Sequence, residues 1–436
     1  MQDVDDLAHT VVNGFGVAGL AIGIVRGDQV YARGFGVKSI ETQEPVTASS
    51  LFHLASISKT FVASAAMQLA EQGKLELDAP LLTYVPDFIL DDERHRQITV
   101  RQMLSHTAGM PDTDDYGWDR PEYDEQALQR YVHSLADEKL IAAPGEKFAY
   151  SNIAYEVLGL LIARISGMSF EDYIKQYMLI PLDMDSSTFL KKEVPAEHAM
   201  TPHIVLPPTV VSSEYPYNRA HAPSSTLHSS ADELCSWALM NLYRGELHGQ
   251  RVLRATSFEQ LWHPVKETGP KYPDESVGLS WFIDTYRGQR RIRHDGVDTG
   301  FQSDLVILPD QSMAVIALAN TIPAPTNMIT DAIVDILLGL EPNIPRPPVL
   351  VSLGPILSDK GIQSVADQYR QLQDTQADRY DFGPEQFLDI GLTLLEVRRY
   401  SECFRVAKLG VELFPDSSEL KVLFERMNSR QPDITA

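Results

Sequence analysis

Ser56-Ile57-Ser58-Lys59, Tyr150-Ser151-Asn152 and His294-Asp295-Gly296 follow one another in that order along the chain, and their joint reading decides the fold. A serine and a lysine at positions i and i+3 share a helical face, which brings a hydroxyl and an amine within hydrogen-bond reach. Such a pair can make the serine nucleophilic without a histidine. The Tyr-x-Asn and His-x-Gly elements read as a proton relay and a substrate-binding strand. A second Ser-x-x-Lys, Ser418-Glu419-Leu420-Lys421, sits after a Pro-Asp-Ser-Ser break in a polar tail, with neither of the other elements downstream. About two chance matches are expected in a chain of this length, so the tetrad alone carries little. Ser56 is placed differently. It follows the apolar run 51–55 and opens the charge-poor stretch 61–70, which Gly73 closes, the pattern of a helix buried nearly all round. A lysine at the start of a buried helix is costly unless it has a partner or a task.

Outward from these motifs, the composition is that of a protein with a large core. The 436 residues are 44% hydrophobic and 22% charged, enough for two or three domains. A net charge of −23 argues against nucleic acid, whose phosphates want a basic face, and against anionic membrane surfaces. No apolar run approaches membrane-spanning length. The acidic start, Met1-Gln2-Asp3-Val4-Asp5-Asp6, lacks the basic-then-apolar pattern of a signal peptide. The expectation therefore leans to the cytoplasm, with export after removal of a leader as the alternative. Cys235 and Cys403 lie in separate apolar helical patterns and read as buried free thiols. The 12 histidines show no metal-ligand spacing, so neither a metal nor a cofactor is expected. The absence of a Gly-x-Ser-x-Gly elbow argues against an α/β-hydrolase.

Along the chain, residues 17–25 and 29–36 alternate apolar and polar across Arg26-Gly27-Asp28, a hairpin signal. A helix-rich stretch follows from Ser56 to about Leu242. Strand patterns return at 277–284, 289–294, 301–308 and 312–319, followed by an apolar helix over 328–340. Consecutive strands with short turns imply an antiparallel sheet, which the N-terminal hairpin joins from far away in sequence. After Leu340 the composition shifts. Residues 1–340 read as one catalytic unit, 341–359 as a stiff proline-rich linker, and 360–436 as a helical tail.

Several stretches besides the three motifs carry a family resemblance: Met103-Leu104-Ser105-His106-Thr107-Ala108-Gly109-Met110-Pro111, Pro144-Gly145-Glu146-Lys147-Phe148-Ala149, Ile180-Pro181-Leu182-Asp183-Met184 with Thr188, and Gly300-Phe301-Gln302-Ser303 before Leu308-Pro309-Asp310. From about Val17 to about Leu340 the chain resembles the serine β-lactamase/penicillin-binding-protein superfamily, in the branch of class C β-lactamases, related esterases and D-amino-acid peptidases. The resemblance implies an α+β fold, an antiparallel sheet flanked by helices with an inserted helical domain and the active site between them. It also implies roles. Ser56 is the nucleophile, Lys59 and Tyr150 move protons, and either could be the initial base. Asn152 orients Lys59 and binds a substrate carbonyl. His294 and Gly296 line the substrate strand, and the backbone N–H groups of Ser56 and Val297 form the oxyanion hole. In the tail, Phe387, Ile390, Gly391, Leu394, Tyr400, Ala407 and Pro415, with Cys403 and Gly410, resemble one tetratricopeptide repeat. A single repeat cannot bury its own face, so it is expected to pack on the catalytic domain or to serve a homo-oligomer contact.

The departures matter for substrate. Penicillin-recognising relatives mostly carry lysine where this chain has His294, and a neutral histidine offers one donor in place of a fixed charge. Alternation along Arg291-Ile292-Arg293-His294 puts His294 and Ile292 on one face and both arginines on the other, where they are expected to be solvated, with Arg293 as a replacement for the missing cation as the alternative. Lys266-Glu267-Thr268-Gly269 has the wrong length and no strand pattern for the lysine version. Asp112-Thr113-Asp114-Asp115-Tyr116-Gly117-Trp118-Asp119 is an acidic, aromatic loop able to face a substrate ammonium. Pro223-Ser224-Ser225-Thr226 stands where many relatives have consecutive glycines. The expected function is a serine hydrolase that forms an acyl-enzyme on Ser56 and cleaves an ester or amide of a small molecule or short peptide. The alternatives are a β-lactamase or D-alanyl-D-alanine peptidase and, from another class, an inactive penicillin-recognising binding module.

Overall fold

The computed structural model describes residues 1–113, 115–205, 208–357 and 362–429. The expected hairpin forms from β1 (Gly19–Arg26) and β2 (Gln29–Gly36), turning through Gly27 at φ +58°. Six more strands complete the sheet: β3 (Lys266–Glu267), β4 (Ser276–Val277), β5 (Phe282–Tyr286), β6 (Gln289–Asp298), β7 (Phe301–Leu308) and β8 (Met313–Ala319). Their order is β2-β1-β8-β7-β6-β5-β4-β3, antiparallel throughout, with Leu20 opposite Ala319. The long-range closure read from the sequence is therefore observed.

β1 is buried along all but its last residue, because helices cover both faces of the sheet. On one face α1 (Gln2–Gly14) brings Val4, Leu7, Ala8 and Val11 against Ile22, Ile329 and Ile333. The acidic start of the chain thus forms a helix, whose signal in the sequence is the spacing of Val4, Leu7, Ala8 and Val11. On the other face lie α2 (Ser58–Glu71), α3 (Asn152–Ser166) and α4 (Ala231–Leu242). Every residue of α2 from Ser58 to Leu69 is buried, as its lack of charge predicts, and Gly73 follows its end at φ +69°. The strand pattern at 277–284 is interrupted. A Cβ on Gly278 would stand 2.3 Å from the Leu261 carbonyl oxygen, so the chain bends there between β4 and β5.

α5 (Thr326–Leu338) closes the first unit, ending in Gly339 at φ +72°. The extended segment is shorter than 341–359, since Val349–Leu357 forms α6 with Val349, Leu350 and Leu353 buried. The tail continues with α7 (Ile362–Gln376), α8 (Glu385–Glu396), α9 (Tyr400–Leu413) and α10 (Ser418–Asn428); Lys360, where a helix was expected to begin, lies outside the described residues. Phe387, Leu394, Cys403 and Ala407 are fully buried. A Cβ on Gly391 would meet Leu423 at 2.6 Å, so α10 supplies the cover that the α8–α9 hairpin needs. Val205 of the first unit joins this core, and the tail packs on the rest of the chain. Among the described residues no single helix is long and apolar enough to cross a membrane. Cys235 and Cys403 are free and buried.

Candidate active site

Ser56 lies in one 3-10 turn, Ala55–Ile57, that feeds directly into α2. Ala55 before it takes φ +48°, a strained conformation for a residue with a Cβ and one that tends to be stored at functional sites. Behind this turn runs β6. Its pairing with β5 stops at Phe282 opposite Arg293, so the backbone from His294 to Asp298 has no strand on that side and meets the Ser56 turn instead. Gly296 makes the approach feasible. A Cβ there would stand 2.4 Å from the Leu54 carbonyl oxygen and 2.8 Å from the Ser56 nitrogen. What Gly296 admits is thus the turn that carries Ser56. Ser56 and the half-exposed Val297 both line a cavity of about 560 Å³.

Lys59, one turn along α2, is fully buried and donates to Ser56 Oγ at 2.9 Å and to the Ser224 carbonyl at 2.8 Å. Loss of water pushes its pKa down to about 8, against the opposing pull of Glu156 and Asp112. Tyr150 lies against this pair, its ring centroid 5.1 Å from Lys59 Nζ. Desolvation drives its phenol well above the ordinary value, with the Ser56 hydroxyl opposing the shift. The structure therefore brings Ser56, Lys59 and Tyr150 together.

Asn152 lines the same cavity as Ser56, but its hydrogen bonds are not the expected one to Lys59. It opens α3, and its amide donates to Asp112 at 3.1 Å and to the Tyr116 hydroxyl at 2.7 Å. Lys59 is oriented by the Ser224 carbonyl instead. The Pro-Ser-Ser-Thr departure thereby has a physical role. The short helix Ala222–Ser225 presents that carbonyl, while Ser225 Oγ donates to Asp298.

His294 is buried on the inner face of β6 with Ile292, as the alternation predicts. Its Nδ1 donates to the Asp295 carbonyl at 2.7 Å, and no described group meets Nε2. Burial pushes its pKa down to about 4, so the ring is neutral and its one donor is already engaged. The free nitrogen presents a lone pair, which a carboxylate cannot use. The arginines beside it are not solvated. Arg291 pairs with Asp284 and Asp331, and Arg293 with Glu275, on the face away from the cavity. They are retained there because four acidic groups, Glu275, Asp284, Asp295 and Asp331, converge on that face. Arg293 is therefore no substitute for the missing cation. Lys266 does lie on a strand, β3, but at the far edge of the sheet. Ser418 and Lys421, the second tetrad, sit on the exposed side of α10.

Two contributors were missed. Glu156, fully buried on α3, receives the Ser224 hydroxyl and lies 3.2 Å from His221 Nδ1; a lone acid in the apolar run 153–162 was the available signal. His106 accepts the Ser151 N–H at Nδ1 and stacks on Tyr150 with ring centroids 4.3 Å apart, fixing the phenol's plane. Burial and the Lys59 charge hold His106 neutral. Of the acidic loop, Asp112, Asp115, Tyr116, Trp118 and Asp119 line the cavity; Asp114 lies outside the described residues. No group of three His, Cys, Asp or Glu side chains arranged to hold a metal occurs among the described residues.

Comparison with known proteins bears on the family and the fold. "Protein flp" of Staphylococcus aureus (strain NCTC 8325 / PS 47) is 25% identical over 321 residues, 73% of this chain and 63% of that protein. The chain thus spans under two thirds of the length of those relatives. "Penicillin-binding protein 4*" of Bacillus subtilis (strain 168) is 26% identical over 314 residues, 67% of this chain and 66% of that protein. In structure, the octameric penicillin-binding protein homologue from Pyrococcus abyssi superposes with a TM-score of 0.68 at 26% identity, covering 82% of each chain. The beta-lactamase family model matches residues 4–339, which include Ser56, Lys59, Tyr150 and His294, and the chain belongs to that family.

Proposed function

We propose that this protein is a serine hydrolase that forms an acyl-enzyme on Ser56 and cleaves an ester or amide of a small molecule or short peptide, as an esterase or a D-amino-acid-type peptidase. The observation that carries the reading is the 2.9 Å contact between Ser56 Oγ and a fully buried Lys59 whose pKa has fallen to about 8. At pH 7 about a tenth of such a lysine is a neutral amine. That fraction takes the Ser56 proton as Oγ attacks the substrate carbonyl, and the oxyanion forms between the Ser56 and Val297 N–H groups. The Tyr150 phenol, held protonated, is suited to donate to the leaving alcohol or amine and not to act as the first base. Lys59 is that base, and Tyr150 recovers its proton through the ammonium. Water then attacks the ester on Ser56 and gives its proton to the same pair, releasing the acid and restoring the hydroxyl.

The engaged donor of His294 favours neutral or ammonium-bearing substrates over the carboxylate-bearing penicillins, as far as this strand is concerned. Asp112 and its neighbours on the acidic wall suit an ammonium. The same proposal divides the chain into a hydrolase unit to about Leu340 and a helical unit beyond. It also includes self-association, on the ground that the Pyrococcus abyssi relative is octameric; light scattering on the full chain checks this, and a monomer would count against it.

The test is intact-mass spectrometry after incubation with p-nitrophenyl esters, D- and L-aminoacyl anilides and a penicillin. A covalent adduct is expected on the wild type and none on Ser56→Ala. Turnover by Ser56→Ala at the wild-type rate would assign the nucleophile elsewhere.

A further inference from the structure

The helical tail forms one wall of the cavity that holds Ser56. Opposite the nucleophile stand Leu392 and Leu395 of α8, Arg398 and Tyr400 at the turn into α9, and Arg426 of α10. The wall from the hydrolase unit is acidic, whereas Arg398 and Arg426 are the cations among the described lining residues. Both are exposed and neither forms an ion pair among the described residues, although Glu396 shares their wall and Arg398, after Arg120, helps to lower the Asp115 pKa from across the cavity. Arg398 also takes φ +60°, at a helix end where glycine or asparagine would be relaxed. The sheet side of the same cavity offers no cation for an anionic substrate group. His294 has spent its donor on the backbone, and Arg293 is tied to Glu275 on the opposite face.

We propose that Arg398, together with Arg426, is the receptor for a carboxylate at the far end of the substrate. The positive charge that relatives place on the third-motif strand is then supplied here by the appended helices. This rests on the hydrolase reading of Ser56 and narrows its substrate class to short peptides or aminoacyl compounds with a free carboxyl end. Such a ligand spans the cleft, with its scissile carbonyl at Ser56 and its carboxylate against the guanidinium groups, whose fork geometry suits it. The neighbouring cavity of about 810 Å³ shares Val297, Leu392 and Glu396 with this one, so the cleft has room for more than one residue of substrate.

The experiment uses the full-length chain with Ser56→Ala, which holds ligand without turnover. Alanyl-alanine and its C-terminal amide, each in the D and L series, are titrated by calorimetry. The free acid of at least one series is expected to bind about tenfold tighter than its amide, a partly solvent-screened Arg–carboxylate contact. Adding Arg398→Glu should abolish or invert that preference, Arg426→Glu should reduce it, and Arg398→Lys should keep most of it. Equal binding of acid and amide, no binding of either, or a preference that survives Arg398→Glu with Arg426→Glu overturns the proposal. Failure of the hydrolase reading shows separately, as a missing Ser56 adduct in the mass measurement on the wild type.

Discussion

Ser224 donates its hydroxyl to Glu156, a carboxylate with no solvent exposure, while the carbonyl of the same serine accepts from Lys59. A buried negative charge is thereby coupled to the base through a single residue. Nothing in a Ser-x-x-Lys motif announces it.

Replacing Glu156 by Gln keeps an acceptor for Ser224 and removes the charge. Glu156 raises the Lys59 pKa, so the ascending limb of kcat/KM should move to lower pH by a few tenths to about one unit. A pH–rate profile with a neutral p-nitrophenyl ester measures it. A limb that stays in place would mean that Glu156 carries no charge in the working enzyme.

The Lys59 shift also fixes the wild-type profile and a stability trade-off. kcat/KM should rise with pH through about 8 as Lys59 loses its proton, with no descending limb from Tyr150 below pH 10. The folded pKa lies below the ordinary lysine value, so the unfolded chain binds the extra proton between about pH 8 and 10.5. Stability from this group therefore rises with pH across that window, and below pH 8 the charged lysine costs about 3 kcal/mol. Lys59→Met should abolish acylation and raise stability at pH 7 by about 1 kcal/mol, after allowing for two lost hydrogen bonds. Urea denaturation decides; a marked loss of stability would refute the sign.

Gly296→Ala tests the close approach of β6 to the nucleophile turn. The added methyl would press on the Leu54 carbonyl oxygen and the Ser56 nitrogen, both backbone atoms that cannot swing aside. Destabilisation of about 1–3 kcal/mol and a loss of kcat of about a hundredfold are expected. Wild-type kinetics in this variant would remove the argument that Gly296 sets the position of Ser56.

His294→Lys places a cation where the ring is neutral above about pH 4. Acylation by a carboxylate-bearing penicillin should improve relative to a neutral ester by about five- to a hundredfold. The ratio is the quantity to follow, since crowding against Phe282, 5.4 Å away, can slow both reactions. A wild type that already destroys penicillins far faster than esters would give first place to a β-lactamase.

The parts of this molecule that could be read from its sequence are those set by local pattern. The fully buried α2, the hairpin at Gly27, and the shared inner face of Ile292 and His294 all follow from periodicities of a few residues. The strand ends, the kink at Gly278 and the helix at Val349–Leu357 depend on what packs against them. Arg291 and Arg293 illustrate the boundary. Alternation gave their face, but their closest ion pairs come from Glu275, Asp284 and Asp331, which lie outside β6 and reach it only through the fold. Asn152 is similar: its place beside α2 was implied, while its hydrogen bonds went to Asp112 and Tyr116 because the intervening loop folds back over it. The tail wall was hidden for the same reason, since Arg398 and Ser56 come to line one cavity only through the fold.

The pairing of Leu20 with Ala319 has a consequence for the order in which this protein can come into being. A chain leaving the ribosome has made Ser56, Lys59 and Tyr150 long before β8 exists to receive β1. Until then the β1 edge of the hairpin is open, and the segment carrying Gly296 has no sheet to hold it against the Ser56 turn. Ser56 is thus made about 240 residues before Val297, its proposed partner in holding an oxyanion, and the helices that wall the cleft follow later still. A product that stops short of β8 therefore carries Ser56 without the strand that holds Gly296 against it.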